Sequence, residues 1–141
     1  MQLDSQSPKS HQLKFRQLVG LYAILRRPPD SPVPAWATKG DFSSITRSAD
    51  ELSIVCQAGN VPKEAAPDLH WVCLKLEGPV PFSQTGVLLS FIEPLSNTGI
   101  PVFAISSYDT DYVLVQEEFA EVAVGRLQAS GHILLVQPSR I

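Results

Sequence analysis

The sequence predicts an α+β protein in which helices cover one face of antiparallel β-sheet. Three features support this prediction. Short apolar runs rich in β-branched and aromatic residues, which are typical of strands, recur along the chain. Two pairs of these runs flank four-residue polar tetrads, which favours two hairpins. In the second half, two segments place apolar residues at helical spacing, so this half has the order strand, helix, strand, strand, helix, strand.

The first half of the chain predicts three strands and two irregular links. One strand spans 18–25 (LVGLYAIL), and a hairpin joins 41–48 (DFSSITRS) to 52–57 (LSIVCQ). The links 27–41 and 58–69 hold half of the 12 prolines, so any helix there is short. These prolines are Pro28, Pro29, Pro32, Pro34, Pro62 and Pro67. We expect Trp36 and Trp71 to be core aromatics that compensate for the missing helices.

The second half contains the clearest predicted helix, which follows the strand 71–76 (WVCLKL). Ser83 is its predicted N-cap, and Gly99 suits the position just past its end. Pro94 is expected to bend its last turns without dividing it into two helices. Its predicted apolar face consists of Leu88, Phe91, Ile92 and Leu95.

A second hairpin and a second helix follow. The strands 101–106 (PVFAIS) and 112–116 (YVLVQ) flank a polar tetrad. The helix opens with Glu117 and Glu118, whose charges suit the positive end of the helix dipole, and it ends before Gly131. Its predicted buried residues are Phe119, Ala123, Val124 and Leu127. The last predicted strand is 132–137 (HILLVQ).

The composition argues against several classes of partner. Among 141 residues, 14 are acidic and 11 are basic, and no basic cluster is larger than Arg26 and Arg27, so we expect no binding to nucleic acid. No apolar run approaches the roughly 20 residues of a membrane span. Because the N-terminus is polar and lacks an apolar leader, we expect a cytoplasmic protein with a polar tail.

Cysteine and histidine are placed unfavourably for chemistry. Cys56 and Cys73 lie far apart in apolar strands, which predicts buried free thiols rather than a metal or redox pair. His11, His70 and His132 have no acid or cysteine at ligand spacing. Motifs for phosphate, dinucleotide, zinc-protease and serine-hydrolase sites are missing from the sequence. We therefore expect no catalytic residue, no metal site and no cofactor.

The two halves of the chain resemble each other. A shift of sixty lays 42–55 on 102–115, and a shift of fifty-one lays 18–25 on 69–76. The two shifts differ by nine residues, which we attribute to the shortening of a helix in the first half. The aligned pairs include Ile45 with Ile105, and Glu51 with Asp111.

This comparison predicts two tandem units of unequal completeness. The first unit, 17–68, has degenerate helices, and the second, 69–137, is complete. Flexible tails, 1–16 and 138–141, flank them. Chance similarity of two hairpins is the alternative interpretation.

The segments FSSITRSADELSIVC (42–56) and TGIPVFAISSYDTDYVLV (98–115) are the most specific parts of a wider resemblance, which covers about residues 18–136. The chain resembles small ACT-domain proteins related to the paired regulatory ACT domains of aspartate kinase and to the CASTOR arginine sensors. The resemblance implies ferredoxin-like βαββαβ ACT units with antiparallel sheets. It also implies a non-catalytic regulatory protein that binds a small ligand, an amino acid, at an ACT–ACT interface.

In such relatives the ligand lies between the first helix of one unit and the hairpin of another. The matching helix-side positions here are Phe82, Ser83, Gln84, Thr85, Gly86 and Val87. The matching hairpin-side positions are Ile105, Ser106, Ser107, Tyr108 and Asp111. The arginine sensors carry four ACT units and this chain carries two, so the resemblance implies a homodimer.

The chemistry of these positions suits a zwitterion. Unpaired N–H groups at a helix start favour a carboxylate, and Gly86 allows close approach to the backbone. The carboxylate of Asp111 suits an α-ammonium group. Three alternatives stay open: Ser83 caps its own helix, Asp111 is an ordinary turn residue, and Tyr108 packs on the sheet.

Two further alternatives concern the whole protein. Glu51, the predicted counterpart of Asp111, marks either a second site or a surface turn. The chain as a whole is either an amino-acid sensor or a protein–protein interaction module whose ligand site is vestigial.

Overall fold

The computed structural model describes residues 12–78 and 86–136. These ranges contain eight strands and two α-helices, which confirms the predicted α+β fold class and the ferredoxin-like order of the second half. The elements are β1 Lys14–Gln17, β2 Tyr22–Arg27, β3 Ser44–Arg47, β4 Leu52–Gln57, β5 Trp71–Leu76, α1 Val87–Asn97, β6 Phe103–Ser106, β7 Asp111–Gln116, α2 Ala120–Ala129 and β8 Ile133–Leu134.

All eight strands belong to one sheet, and β5 lies at its centre. One edge of β5 pairs antiparallel with β7, which pairs in turn with β6. The other edge holds two strands in succession: β1 pairs with residues 74–76, and β2 pairs through Tyr22 opposite Trp71. From there β1 continues to β8 in parallel, while β2 continues to β4 and β3 in antiparallel.

Strand β1 is the largest departure from the predicted fold. The sequence predicted a tail over 1–16 and one strand over 18–25, whereas the structure has β1 and β2 with a break between them. Gly20 lies in this break with a φ of +84°, a conformation that suits glycine and interrupts a strand. The sequence KFRQ of β1 contains a single apolar residue, Phe15, so it shows no strand pattern.

Because β1 lies between β5 and β8, the four-stranded sheet expected of 69–137 takes in a strand from the N-terminal part of the chain. The predicted C-terminal tail 138–141 and residues 1–11 lie outside the described residues.

Both α-helices pack on the same face of the sheet, which we term the helix face. Phe15 of β1 joins this core, where its ring meets that of Phe91 edge-on at 5.2 Å between centroids. Burying each large apolar side chain contributes about 1.5–3 kcal/mol. The buried cluster comprises Phe15, Val72, Leu74, Leu76, Val87, Phe91, Leu95, Ile100, Val113, Val115, Ala123 and Leu127.

The first half of the chain covers its part of the helix face without an α-helix. Short 3₁₀ turns at Ala35–Thr38, Ala58–Asn60 and Lys63–Ala65 stand in the proline-bearing links, as the sequence predicted. Trp36 packs against the buried cluster here, and the Arg27 guanidinium lies 5.6 Å from its ring. The cluster consists of Ala37, Leu52, Ile54 and Cys56.

Two hairpins, β3–β4 and β6–β7, have matching registers. Ser44 pairs with Val55 in the first hairpin and Phe103 pairs with Leu114 in the second, so both strands correspond at a shift of 59. In the neighbouring strands, Tyr22 lies opposite Gln57 and Trp71 lies opposite Gln116. Strand β2 therefore corresponds to β5 at a shift of 49 residues.

The predicted shifts of 60 and 51 are therefore wrong by one and two residues. A slip of one residue moves a side chain to the other face of a sheet. Ile45 packs with the helix-face cluster around Ile54, whereas Ile105 packs with the cluster around Leu114 on the opposite face. In the first turn the Ser48 N–H donates to the Glu51 carbonyl, and in the second turn the Ser107 N–H donates to the Thr110 carbonyl. Glu51 therefore corresponds to Thr110 and not to Asp111.

Glycines stand at the start of α1 and at the C-terminal ends of both helices. Helix α1 has Gly86 as its N-cap, at a φ of +83°, and the predicted N-cap Ser83 lies outside the described residues. At its C-terminus, Gly99 has a φ of +79° and Ile100 N–H donates to the Leu95 carbonyl. Gly131 ends α2 in the same way, so both predicted C-terminal glycines are confirmed.

Helix α2 starts later than predicted, because Glu117–Phe119 forms a 3₁₀ turn before it. Ala123 and Leu127 are fully buried as predicted, whereas Phe119 and Val124 pack against the core only in part.

Helix α1 continues through Pro94 as a single element, and a buried histidine helps it to do so. Pro94 has no N–H to donate to the carbonyl of Ser90, four residues earlier. The Nε2 atom of His132 lies 3.0 Å from that carbonyl oxygen, and its Nδ1 lies 3.1 Å from the Leu13 N–H. A neutral ring that donates from Nε2 and accepts at Nδ1 satisfies both groups. His132 therefore links α1 to the segment that leads into β1.

We expect His132→Leu to lower the free energy of unfolding by about 1–3 kcal/mol, because it removes the hydrogen bonds of the imidazole to the Ser90 carbonyl and to the Leu13 N–H. In a Pro94→Ala background, residue 94 regains an N–H that bonds to Ser90, so the same change should cost about 1 kcal/mol less. Urea unfolding of the four proteins measures both costs. Equal costs in the two backgrounds would contradict the compensating role of His132.

Candidate functional site

The helix-side residues predicted for the ligand site are only partly described. Phe82, Ser83, Gln84 and Thr85 lie outside the described residues. Gly86 accepts the Ser90 N–H at its carbonyl, and no described side chain caps the first turn of α1. Val87 is buried in the helix-face core. This helix start therefore offers backbone N–H groups, which suit an anion, rather than side chains.

The hairpin-side residues lie in three places: on the helix face of the sheet, on its opposite face, and in the turn. Ser106 and Asp111 pair across β6 and β7, and Ser106 Oγ donates to Asp111 Oδ1 at 2.5 Å. The structure thus brings together one hydroxyl and one carboxylate of the predicted set. Ile105 points to the opposite face of the sheet, where it packs near Tyr112.

Ser107 and Tyr108 belong to the turn itself. The Ser107 hydroxyl donates to the Thr110 carbonyl at 2.9 Å and accepts the Thr110 N–H at 3.3 Å, which fixes the turn. Tyr108 is 83% exposed, so it does not lie in the core of the sheet.

A polar cavity of about 340 Å³ opens beside this turn, on the face opposite the helices. We term it the charged cavity. Its walls come from the end of β5 and from the β6–β7 turn. The lining residues are Lys75, Glu77, Gly78, Ser107, Asp109, Thr110 and Tyr112. Of these, only Ser107 was predicted from the sequence to be a site residue.

The walls of the charged cavity are held by close contacts. Thr110 Oγ1 donates to the Leu76 carbonyl at 2.8 Å in a buried position. A Cβ atom on Gly78 would lie 3.0 Å from Thr110 Cβ, so the glycine lets the strand end pack against the turn. Arg16 Nε donates to Glu77 Oε2 at 3.1 Å.

Tyr112 is the aromatic residue that lines this cavity. The Phe42 ring stacks on its ring at 3.9 Å between centroids. Burial, and then the nearby Cys73 and Asp109, raise the pKa of the Tyr112 hydroxyl above its ordinary value. The hydroxyl is therefore neutral at physiological pH and can donate a hydrogen bond.

A second cavity, of about 580 Å³, lies where the break between β1 and β2 meets the 3₁₀ turn after β4. Its lining is mostly apolar or uncharged. The lining residues are Val19, Gly20, Leu21, Gln57, Ala58, Gly59, Asn60 and His70.

The two cysteines are buried and free, as predicted. Burial raises the pKa of Cys73 to about 12 and also raises the pKa of Cys56. Because the thiolate is the reactive form, neither residue is suited to act as a nucleophile. Within residues 12–78 and 86–136, no group of His, Cys, Asp and Glu is arranged to hold a metal ion. Neither helix in these ranges is long and apolar enough to cross a lipid bilayer.

Two family models match the chain. Residues 68–129 match the ACT domain, and residues 20–64 match a model of an N-terminal domain. No curated protein matches the chain.

Three solved structures resemble the chain. Protein Atu0741 from Agrobacterium tumefaciens is 40% identical with a TM-score of 0.84, and the match covers 93% of this chain and 98% of that protein. VC0802 from Vibrio cholerae, described as a protein of unknown function and possible transport protein, is 18% identical with a TM-score of 0.69 over 85% of this chain and 91% of its own.

The third is an aspartate kinase from Clostridium acetobutylicum, described as an allosteric enzyme. It is 11% identical with a TM-score of 0.56, and the match covers 84% of this chain and 34% of the kinase. At these identities the Vibrio and Clostridium proteins show a common fold.

Burial of the Tyr22 hydroxyl and the Cys73 thiol predicts that the free energy of unfolding falls at alkaline pH. Burial is the main cause that raises the pKa of Tyr22 from 10.0 to about 12, and the pKa of Cys73 rises from 9.0 to about 12. The folded state therefore holds both protons more tightly than the unfolded state. The stability they contribute is complete below about pH 9 and is lost as the pH rises toward 12.

We expect the free energy of unfolding, measured in urea, to fall by about 1 kcal/mol or more between about pH 8 and about pH 11. Tyr22→Phe removes one of the two groups and also a buried hydroxyl without a hydrogen-bond partner among the described residues. This variant should be at least as stable as the wild type at about pH 8 and should lose less stability with rising pH. A decline as steep as that of the wild type would exclude a contribution from Tyr22.

Proposed function

This chain belongs to the family of the Agrobacterium protein Atu0741, and, since residues 68–129 match the ACT domain, we propose that it is a non-catalytic regulatory protein that binds an amino acid. The observation that supports this most directly is the carboxylate of Asp111, held by Ser106 at the hairpin of the ACT-matched segment. In the arrangement we propose, two tandem ACT units occupy one chain, and the ligand lies at an ACT–ACT interface.

The two poles of the proposed site have opposite charge. The start of α1 carries backbone N–H groups without a described side-chain cap and the positive end of the helix dipole, which together favour a carboxylate. Asp111 provides the negative pole for an α-ammonium group. Ser106 fixes the carboxylate of Asp111 in one orientation, so less entropy is lost when a ligand binds.

A homodimer follows from the same proposal. Within the described residues, β3 and β6 each pair with one strand only, so each leaves an edge that a second copy can cover. The exposed Leu89 on α1 and Val122 on α2 add apolar surface. We propose that two chains in the cytoplasm bring the helix start of one unit to the hairpin of another.

The second candidate function is a protein–protein interaction module. It is favoured by Leu89 and Val122, whose side chains are 52% and 51% exposed on the two helices. In this case a partner protein covers the helices, and no amino acid binds.

A thermal-shift screen of the twenty common amino acids separates the two functions. At a hundredfold excess over its Kd, a true ligand stabilises the folded state by about 2.7 kcal/mol, which raises the Tm by about 5–10 °C. Asp111→Asn should reduce this shift by the part that the Asp111 site contributes, whereas Asp50→Asn, in the other hairpin turn, should preserve the shift in full. If no amino acid raises the Tm, the sensor function is wrong and the interaction module is favoured.

Sedimentation equilibrium tests the dimer. We expect a mass of twice 15.4 kDa at micromolar concentration, and a dimer that tightens when the ligand found in the screen is added. A monomer at all concentrations, with or without that ligand, would contradict a site shared between two chains.

A further inference from the structure

The matching registers of the two hairpins allow the charged cavity to be compared with its counterpart in the first half of the chain. At the shifts of 49 and 59, Lys75 on β5 corresponds to Arg26 on β2. The turn residues Asp109 and Thr110 correspond to Asp50 and Glu51. The two halves therefore place a cation next to a hairpin turn in the same way.

In the first half, this cation is bound by the turn. Arg26 Nη2 donates to the Asp50 carbonyl at 3.0 Å, and Arg26 Nε lies 3.8 Å from Glu51 Oε1. The turn thus supplies both an acceptor and a counter-charge. Glu51 is therefore in contact with Arg26 at an exposed turn.

In the second half, the counter-charge is missing. Thr110 stands where the first half has Glu51, and its hydroxyl is committed to the Leu76 carbonyl. The side chain of Lys75 forms no hydrogen bond or ion pair with any other residue of 12–78 and 86–136. The nearest carboxylate on its own strand end, Glu77, is bound by Arg16, which lies opposite Lys75 on β1.

The cavity also holds an opposite charge at a distance from the lysine. Asp109 lines the same 340 Å³ space, yet no ion pair joins it to Lys75 in the described structure. Tyr112 also lines this space and carries a hydroxyl group, on a ring that is held by its stack with Phe42. One cation, one anion and one donor therefore face a common space that is large enough for a small molecule.

We propose that the charged cavity is a binding site for a small carboxylate that also carries a hydrogen-bond donor, such as an α-amino acid or an α-hydroxy acid. The Lys75 ammonium binds the carboxylate of the ligand, and Asp109 accepts from its amino or hydroxyl group. Tyr112 donates to the remaining carboxylate oxygen.

This site is distinct from the one proposed at Asp111. Asp111 and Tyr112 are consecutive on β7, so their side chains point to opposite faces of the sheet. The charged cavity lies on the face of Lys75 and Tyr112, opposite the helices. A ligand in one site does not occupy the other.

Titration of ¹⁵N-labelled full-length protein tests the proposal, with L-alanine, L-serine, L-aspartate, L-lactate and acetate as separate probes. We expect at least one amino or hydroxy acid to shift the amide signals of Lys75, Ser107 and Asp109, and acetate to bind more weakly because it has no donor for Asp109. Lys75→Met keeps the apolar stem and removes the charge, so it should weaken binding about tenfold or more. Arg26→Met is the matched control at the corresponding position and should leave the affinity unchanged.

The variants also separate this site from the one at Asp111. Asp111→Asn should leave the shifts at Lys75, Ser107 and Asp109 intact, even if it abolishes amino-acid binding elsewhere. Asp109→Asn gives a second test if Lys75→Met unfolds, and it should weaken amino and hydroxy acids but not acetate. Shifts absent with every probe, or equal affinities in Lys75→Met and Arg26→Met, would overturn the proposal.

Discussion

The pairing of β5 with its neighbours on both edges is the constraint on which the rest of the structure depends. One edge pairs with β7 from Trp71 to Lys75, and the other edge pairs with β1 at residues 74–76 and with β2 at Trp71. These contacts fix which side chains face the helices and which face the opposite side. They also place the end of β5 against the β6–β7 turn, where the charged cavity lies. A change of register in β5 would therefore alter both the helix-face core and the cavity.

Local patterns in the sequence predicted much of this fold. Strands β4 and β5 have the predicted bounds, because each is a continuous apolar run closed by polar or glycine-containing segments. Gly99 and Gly131 end their helices as expected, because a left-handed residue at that position favours glycine. Strand β1 was not predictable in this way, since its only sign is Phe15, and its pairing to β5 joins residues about sixty positions apart.

The internal correspondence shows how a small error of register changes a functional interpretation. The sequence comparison aligned Glu51 with Asp111, because both are acidic residues at a turn. The backbone hydrogen bonds of the two turns show instead that Glu51 and Thr110 are the equivalent positions. The sequence did place Ser106 and Asp111 among the candidate site residues of the hairpin, and the structure adds the hydrogen bond between their side chains. It did not indicate Lys75 or Asp109. These residues become candidates only when Arg26, which has the counter-charge of Glu51 beside it, is compared with Lys75, which has no such partner.

Because β1 lies between β5 and β8, the segment that matches the ACT domain is smaller than the part of the chain needed to complete its sheet and core. The ACT-matched segment 68–129 contains both helices and the β6–β7 hairpin, but the edge of β5 and the space filled by the Phe15 ring are completed from outside it. Excised alone, that segment would present unpaired backbone groups and an opening in its core. Recombination that exchanges such domains between genes would have to transfer the N-terminal strand as well, so the two halves of this chain are expected to be inherited together.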